Sequence, residues 1–443
     1  MLLAGVAWLA AAAGLAQHEG RQISPTPTPG PAHSLMVSAE AAAGHSHTAG
    51  SAERTLFQSD MALMTGMIPE DPMAGMKMPG WHVTDLGVAR LVFNGQGGPS
   101  GRKGVESGNW NMLHAQHDLG PGRLSLMMMN SLEAATYPAG GSAELFQTGE
   151  TLDGKPLVDR QHPHDFFMNL SATYRQPVSE RSAVWLQLAP VGEPALGPAA
   201  FMHRASAGEN PTAPLGHHWE DSTHITYDVI TLGYGWRAIS LEGSVFHGAE
   251  PDENRWNIQA GKLDSVSGRM RLRLPGGWSG QLSYGFLKNL EELEPGDVRR
   301  ATASIHYGAD GDRPFAATLL WGRNDEDHGA TQAWLLEGAW QMTGQDQFFG
   351  RAEYVQKDYD LLAFKGRPHL PPPGQPRIAA VWAFTGGYLR DVGDWKGIRT
   401  GVGGDLSLYA FPSSLRPVYG DFPVSGHFFL RLRWGAPHGH ASM

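Results

Sequence analysis

Residues 424–434 read VSGHFFLRLRW, and the way this stretch divides its side chains decides the fold. Val424, Phe428, Leu430, Leu432 and Trp434 fall on one face of an extended chain, and Ser425, His427, Arg431 and Arg433 on the other. Side chains two apart share a face of a strand, so the pattern gives one apolar and one cationic face. The same division recurs upstream. Met270, Leu272 and Leu274 stand against Arg269, Arg271 and Arg273. Trp278, Leu282, Tyr284 and Phe286 stand against Ser279, Gln281, Ser283 and Gly285. Ala301, Ala303, Ile305 and Tyr307 stand against Arg300, Thr302, Ser304 and His306. Guanidinium groups turned inward on several strands make a dry core too costly. A soluble sandwich would bury the apolar face and expose the charges. A membrane barrel reverses this, with an apolar band toward lipid around a polar, water-filled interior.

The spacing of turns predicts an all-β fold, a transmembrane antiparallel β-barrel of about 16 strands. They are placed near 87–95, 105–118, 123–130, 166–177, 181–191, 222–236, 239–248 and 257–274. The rest are placed near 277–288, 299–308, 315–323, 331–342, 347–358, 378–391, 396–409 and 424–434. From the second strand onward every other connection is short: DLGPG (118–122), PVSE (177–180), RA (237–238), PGG (275–277), TGQD (343–346) and VGDW (392–395), with GADGDRP (308–314) slightly longer. Long connections at 131–165, 192–221, 248–256, 288–298, 359–377 and 410–423 lie between them. Short periplasmic turns alternating with long outer loops belong to outer-membrane barrels. An even strand count puts both chain ends on the periplasmic side, and sixteen strands leave an aqueous lumen. Trp110, Trp185, Trp236, Trp278, Trp321, Trp340, Trp382, Trp395 and Trp434 recur near strand ends, as an interfacial girdle requires.

Composition agrees. The 443 residues include 57 Gly and 14 Trp, are 18% charged, and contain no Cys. Absence of Cys excludes disulfides, thiolate metal sites and cysteine catalysis. A net charge of −10 argues against nucleic acid as a partner, because phosphate binding needs a cationic face. No apolar run after the N-terminus approaches the ~20 residues of a membrane-spanning helix.

The run LLAGVAWLAAAAGLA (2–16) reads as an export signal cleaved after Ala16. Residues 17–80, with SPTPTPGP (24–31) and AEAAAGHSHTAGSAE (39–53), lack core-forming residues and read as a disordered periplasmic tail. The barrel then spans 81–434, followed by a short tail at 435–443.

Dense polar motifs fall on the long-loop side. The loop 131–165 ends in DRQHPHDFF, which carries His162, His164 and Asp165. The next long loop carries His203, His217, His218, Asp221 and His224, with Glu193, Arg204, Glu209 and Glu220 among them. Imidazoles and carboxylates this close together ligate Zn²⁺, Cu²⁺ or Ni²⁺. The alternative is that they bond loop backbone and hold ordered loops over the lumen. Arg269, Arg271, Arg273, Arg431 and Arg433 are expected to line the lumen with positive charge. No G-x-S-x-G or H-E-x-x-H signature is present, so the chain is not expected to be an enzyme.

The tail holds MALMTGMIPEDPMAGMKMPGWH (61–82), with Met61, Met64, Met67, Met73, Met76 and Met78 followed by His82. Thioether sulfur is soft and selects Cu(I) over hard cations. Alternatively Met61, Met64 and Met67 form the apolar stripe of a short helix; Gly75 and Pro79 exclude that for the remainder.

The strings QHPHDFFMNL, VGEPALGP with FMHR, ENPTAPLGHH with DSTHI, FHGAEPDENRW and LEPGDVRRATAS resemble a family of bacterial outer-membrane β-barrel proteins, across roughly residues 80–434. The resemblance implies a barrel and no catalytic residue. The Met/His-rich tail at 45–82 is similar to that of the copper-resistance outer-membrane protein B family. That likeness implies a copper role for Met61 to Met78 and His82.

Two functional readings follow, with a loop-closed structural barrel as a third. In the first, the barrel binds or transports copper or a related metal across the outer membrane. Its tail would work beside a periplasmic metal-handling protein. No cofactor is required, and copper is the ion such a tail would take. In the second, a porin-like channel passes small polar solutes.

Overall fold

The computed structural model describes residues 80–290, 296–309, 313–327, 329–363 and 377–435. The export signal, the tail with Met61, Met64, Met67, Met73, Met76 and Met78, and residues 436–443 lie outside the described residues.

Strands follow one another in chain order. They are β1 (His82–Gly95), β2 (Lys103–Glu106), β3 (Asn109–Leu119), β4 (Gly122–Asn130), β5 (Ser142–Leu152), β6 (Lys155–Gln161), β7 (Phe167–Ser179), β8 (Ser182–Gly192), β9 (Thr226–Trp236) and β10 (Ile239–His247). Then come β11 (Ser265–Arg273), β12 (Trp278–Leu287), β13 (Val298–Ala309), β14 (Phe315–Glu326), β15 (Gly329–Gln341), β16 (Asp346–Asp358), β17 (Ile378–Trp395), β18 (Ile398–Ala410) and β19 (Val424–Trp434). Every paired neighbour is antiparallel, and β19 returns to β1 from Gly87↔Trp434 to Gly95↔Gly426. Because β2 and β3 both pair with β1, they are two pieces of one stave, and the closed wall has sixteen staves. Closure leaves no unpaired edge, the condition a strand protein must meet in lipid.

Leu91, Phe93, Leu241, Leu282, Leu336 and Leu430 stand exposed on the outer face, while Arg90, Arg269, Arg271, Arg300 and Arg431 are buried inside. An apolar belt round a closed cylinder is stable only when lipid covers it. The chain is therefore an outer-membrane β-barrel. No helix among the described residues is long and apolar enough to cross a membrane; strands make the crossing. Trp236, Trp278, Trp340 and Trp395 sit exposed at the short-turn end. Trp110 and Trp185 depart from the expected girdle. Trp110 packs edge-on against His203, with ring centres 5.2 Å apart, and Trp185 lies against Gly233 under the Arg175 guanidinium.

Several boundaries differ from expectation. The strand expected at 257–274 begins only at Ser265, because the preceding segment spends its bonds elsewhere: Gly261 donates to Asp228 and Lys262 accepts from His247. The strand expected from 222 begins at Thr226, after a single helical turn at Ser222–His224. The loop 131–165 contains the β5–β6 hairpin, a separate sheet. Strands β14 and β15 run on to a two-residue connection, with Glu326 opposite Gly329 at φ 140°, so the alternation of short and long connections fails there.

The largest correction concerns the interior. An aqueous lumen was the expectation, yet the long loops fold inward and pack it. Two apolar clusters show this. One joins Phe146, Leu215, Trp219, Val355 and Tyr419, and the other joins Met112, Met129, Met168, Ile225 and Tyr227. Inward arginines are tolerated because loop and wall carboxylates neutralise them, so their charge is paired rather than solvated by a water-filled lumen.

Candidate functional site

Residues 193–225 leave β8 and cross the inside of the barrel. The Ala195 N–H donates to Ser244 Oγ on β10 (2.7 Å), and the Gly197 N–H to Ser283 Oγ on β12 (2.8 Å). The Leu215 N–H donates to Glu353 Oε1 on β16 (2.6 Å). Glu209 accepts from Arg431 Nη1 on β19 (2.7 Å). This loop is therefore fastened around much of the wall, as a plug.

Its centre is ionic. Arg204 is fully buried, donates Nε to Glu337 Oε1 (2.6 Å) and Nη1 to the Ala199 carbonyl (2.9 Å), and pairs with Asp221. Burial alone would raise the Asp221 carboxyl, but Arg204 and His217 outweigh it and hold it well below the usual carboxylate range. Glu220, one residue earlier, is buried with neither carboxylate oxygen bonded. Burial, reinforced by Asp221, pushes it well above that range.

Against this plug the 131–166 loop brings His162 and His164, and the two loops together pool five imidazoles. Ring centres lie 5.2 Å apart for His217–His224, 5.3 Å for His164–His224 and 5.4 Å for His217–His218. His162 is 6.3 Å from both His164 and His218. Four of the rings, His162, His164, His217 and His224, are held by a hydrogen bond at Nδ1. His164 meets Glu133 Oε2 at 2.7 Å, His217 meets Asp221 Oδ1 at 2.6 Å, and His224 meets the Asp221 carbonyl at 2.9 Å. His162 meets the Pro163 carbonyl at 3.0 Å, and His218 lies 3.4 Å from Glu250. Burial pushes the His162, His217 and His224 rings below the ordinary imidazole range. These rings are neutral at physiological pH, the state in which imidazole binds metal. Among the described residues no group of three or more His, Asp or Glu side chains is placed so that it could hold a metal ion.

The other expected site residues lie apart from these five. His203 packs on Trp110, and burial lowers it to about 3. Asp165 pairs with Arg255 (3.3 Å) and accepts from the Tyr227 hydroxyl. His82 stands at the far, short-turn end of β1. Arg269 is paired with Glu193 and Glu242, Arg271 with Glu242, and Arg431 with Glu209 and Asp391. Arg433 reaches Glu209 at 2.8 Å, and Arg273 is half-buried. Sequence reasoning missed Glu133, Glu337 and Arg255. Nothing local marks Glu337 as a partner of Arg204, but the spacing His217–Asp221 is that of neighbours on one helical turn and could have been read.

Two cavities border His162. One of about 10 Å³ is lined by His162, Asp165, His217, His224, Glu250 and Arg255, room for one water. A cleft of about 220 Å³ is lined by Tyr137, Leu152, His162, Pro163, Arg255 and Trp256. His162 and Arg255 belong to both walls, so they separate the cleft from the imidazoles.

No protein-family model matches the chain, and no curated protein matches its sequence. Among solved structures it is similar to the anion-selective porin from Comamonas acidovorans. Identity is 13%, coverage 80% of this chain and 100% of the porin, and the TM-score 0.49. It is also similar to OprB of Pseudomonas putida, at 12% identity, 80% and 94% coverage and a TM-score of 0.49. OmpT, an outer membrane protein of Vibrio cholerae, aligns at 9% identity, 81% and 99% coverage and a TM-score of 0.47. Similarity this low carries nothing about solute or site.

Proposed function

We propose that this outer-membrane barrel binds a borderline transition-metal ion, copper(II) or zinc, inside its lumen and handles it at the outer membrane. The observation that carries the reading is the pooling of five buried imidazoles from two loops that are far apart in the chain. Neutral imidazole suits Zn²⁺, Cu²⁺ and Ni²⁺. The methionine-rich tail complements it, because thioethers hold Cu(I) and need no deprotonation. A periplasmic metal-handling protein is the natural partner of that tail.

The test is metal uptake by the full chain, purified in detergent, with Met61, Met64, Met67, Met73, Met76 and Met78 all changed to Leu. Retention of about one Cu²⁺ or Zn²⁺ per chain through desalting supports the reading, and no uptake beyond background overturns it.

A channel for small polar solutes is the second reading. Its support is that the plug meets β1 and β19 through the ionic contact of Glu209 with Arg90, Arg431 and Arg433, which can dissociate. Planar-bilayer conductance with and without copper separates the two.

A further inference from the structure

We propose that Arg90, Arg399, Arg431 and Arg433 form a site for small multivalent oxyanions, which Glu209 of the plug occupies in the closed barrel. An oxyanion entering from the short-turn end displaces Glu209 and frees this corner of the plug. The inference rests on the channel reading and names its solute class and its trigger.

Strand register builds the site. On β19, Arg431 and Arg433 are two apart and share the inner face, while Leu430 and Leu432 between them stand exposed on the outer one. Arg90 of β1 lies directly opposite Arg431, and Arg399 of β18 directly opposite Arg433. Facing residues of antiparallel strands hold their Cβ atoms about 4.5–5.5 Å apart, where like charges repel. Three neighbouring strands thus crowd four guanidiniums into one patch, a cost that a bound anion offsets.

The chain supplies too little anion for it. Glu209 Oε1 takes Arg431 Nη1 at 2.7 Å and Arg433 Nη2 at 2.8 Å, while Oε2 lies 4.0 Å from Arg90 Nη2. Asp391 on β17 pairs with Arg431 and lies 3.9 Å from Arg399. The charges bearing most on Arg433 are those of Glu209, Arg431, Asp391 and Arg399. Four guanidiniums against these two carboxylates leave an excess of two positive charges, and of three once Glu209 withdraws. The Nε atoms of Arg90 and Arg431 are buried without a hydrogen bond among the described residues, as is Glu209 Oε2. Guanidinium forks take carboxylate and phosphate oxygens in pairs, so a dicarboxylate or a phosphate engages donors that one glutamate leaves idle.

Solvent reaches the patch from one side. The Arg399 and Arg433 side chains are 34% and 27% exposed, whereas Arg90 and Arg431 are buried behind them. Arg399 is the second residue of β18, just after a short turn, so the open side faces the short-turn end. Past Glu209 the seam between plug and wall continues into a cavity of about 30 Å³ lined by Arg90, Asn109, Gln161 and Asn210. The side-chain amides of Gln161 and Asn210 are buried there, with neither polar atom of either bonded among the described residues. This corner of the plug is therefore held to the wall chiefly by the guanidiniums. An anion that binds only the patch Glu209 has left shifts the plug toward release.

The experiment uses the full chain purified in detergent, with inorganic phosphate and succinate as probes and chloride at matched ionic strength as reference. Hydrogen exchange across residues 205–212 should speed up as either probe rises and stay flat in chloride. In calorimetric titration Glu209→Gln, whose plug no longer competes, should bind both probes about 10-fold more tightly than the parent. Adding Arg399→Gln and Arg433→Gln to that variant should weaken binding about 10-fold or more, with heat-modifiable migration showing that the barrel still folds. Equal affinity in parent and Glu209→Gln, or affinity that survives loss of both arginines, overturns the site. Planar-bilayer currents separate this from the reading beneath it. Current through the parent that grows with phosphate or succinate at fixed ionic strength supports both. A barrel that conducts but ignores both probes overturns the inference and leaves the channel. No current from any variant, with the affinity differences as expected, overturns the channel reading and leaves the oxyanion site standing.

Discussion

Glu209, on the loop that crosses the lumen, accepts a 2.7 Å hydrogen bond from Arg431 on the strand that closes the barrel. Arg433 adds a contact at 2.8 Å and Arg90 one at 4.0 Å, so one plug carboxylate faces three wall guanidiniums. Glu209→Gln leaves those cations without their shared counter-charge. Breaking a buried pair from one side costs about 3–5 kcal/mol. We expect the variant to loosen the plug, with open events in planar bilayers that the parent lacks. An unchanged current trace would show that the other anchors suffice.

The same carboxylate gives the plug an acid limit. Burial would raise it, but Arg431, Arg433 and Arg90 outweigh burial and hold it at about 2. Its ordinary value is about 4.3, so the stabilisation is fully present above that pH and fades as pH falls toward 2. Two pKa units correspond to roughly 3 kcal/mol. Thermal stability of the parent should therefore drop between about pH 4.5 and 2. Glu209→Gln should lack that component of the profile.

Glu144 on the β5 hairpin predicts the opposite slope. Burial raises its carboxyl to about 7, against the pull of Arg351 and with the push of Glu353. A raised carboxyl favours the folded state below its ordinary value and loses that advantage as pH climbs through 7. Hydrogen exchange in residues 142–161 should speed up between pH 5 and 8 beyond the intrinsic chemical trend. Glu144→Gln should flatten the excess.

The wall was legible from the sequence because strand alternation is local: a reader of Leu430, Arg431 and Leu432 needs only adjacent residues. The plug was not, because its bonds are long-range. Arg204 and Glu337 are 133 residues apart, and Lys357 reaches Gln147 across 210. The His162–Asp165 and His217–His224 strings could be read as candidate ligands, but not which imidazoles meet. That depends on where Glu133 and Asp221 fix each Nδ1. The expected open lumen failed for the same reason: inward arginines signal a polar interior, and the carboxylates that neutralise them come from loops whose path no local pattern records.

Gly322 on β14 tests whether wall and plug are one device. A Cβ there would lie 2.3 Å from the Trp219 carbonyl, inside the turn His217–Glu220. The wall should survive Gly322→Ala, since its ladder bonds are backbone and the clash is with the plug alone. The turn must move away, carrying His217 and Asp221 with it. Gly386 on β17 is the control, because a Cβ there meets nothing within 4 Å, and Gly386→Ala should be neutral or slightly stabilising. We expect both variants to keep the heat-modifiable migration of a folded barrel. Gly322→Ala alone should lose Cu²⁺ affinity, by 10-fold or more, and speed hydrogen exchange across 215–225. Equal metal affinity in the two variants would mean that the imidazoles do not depend on the seat that β14 provides.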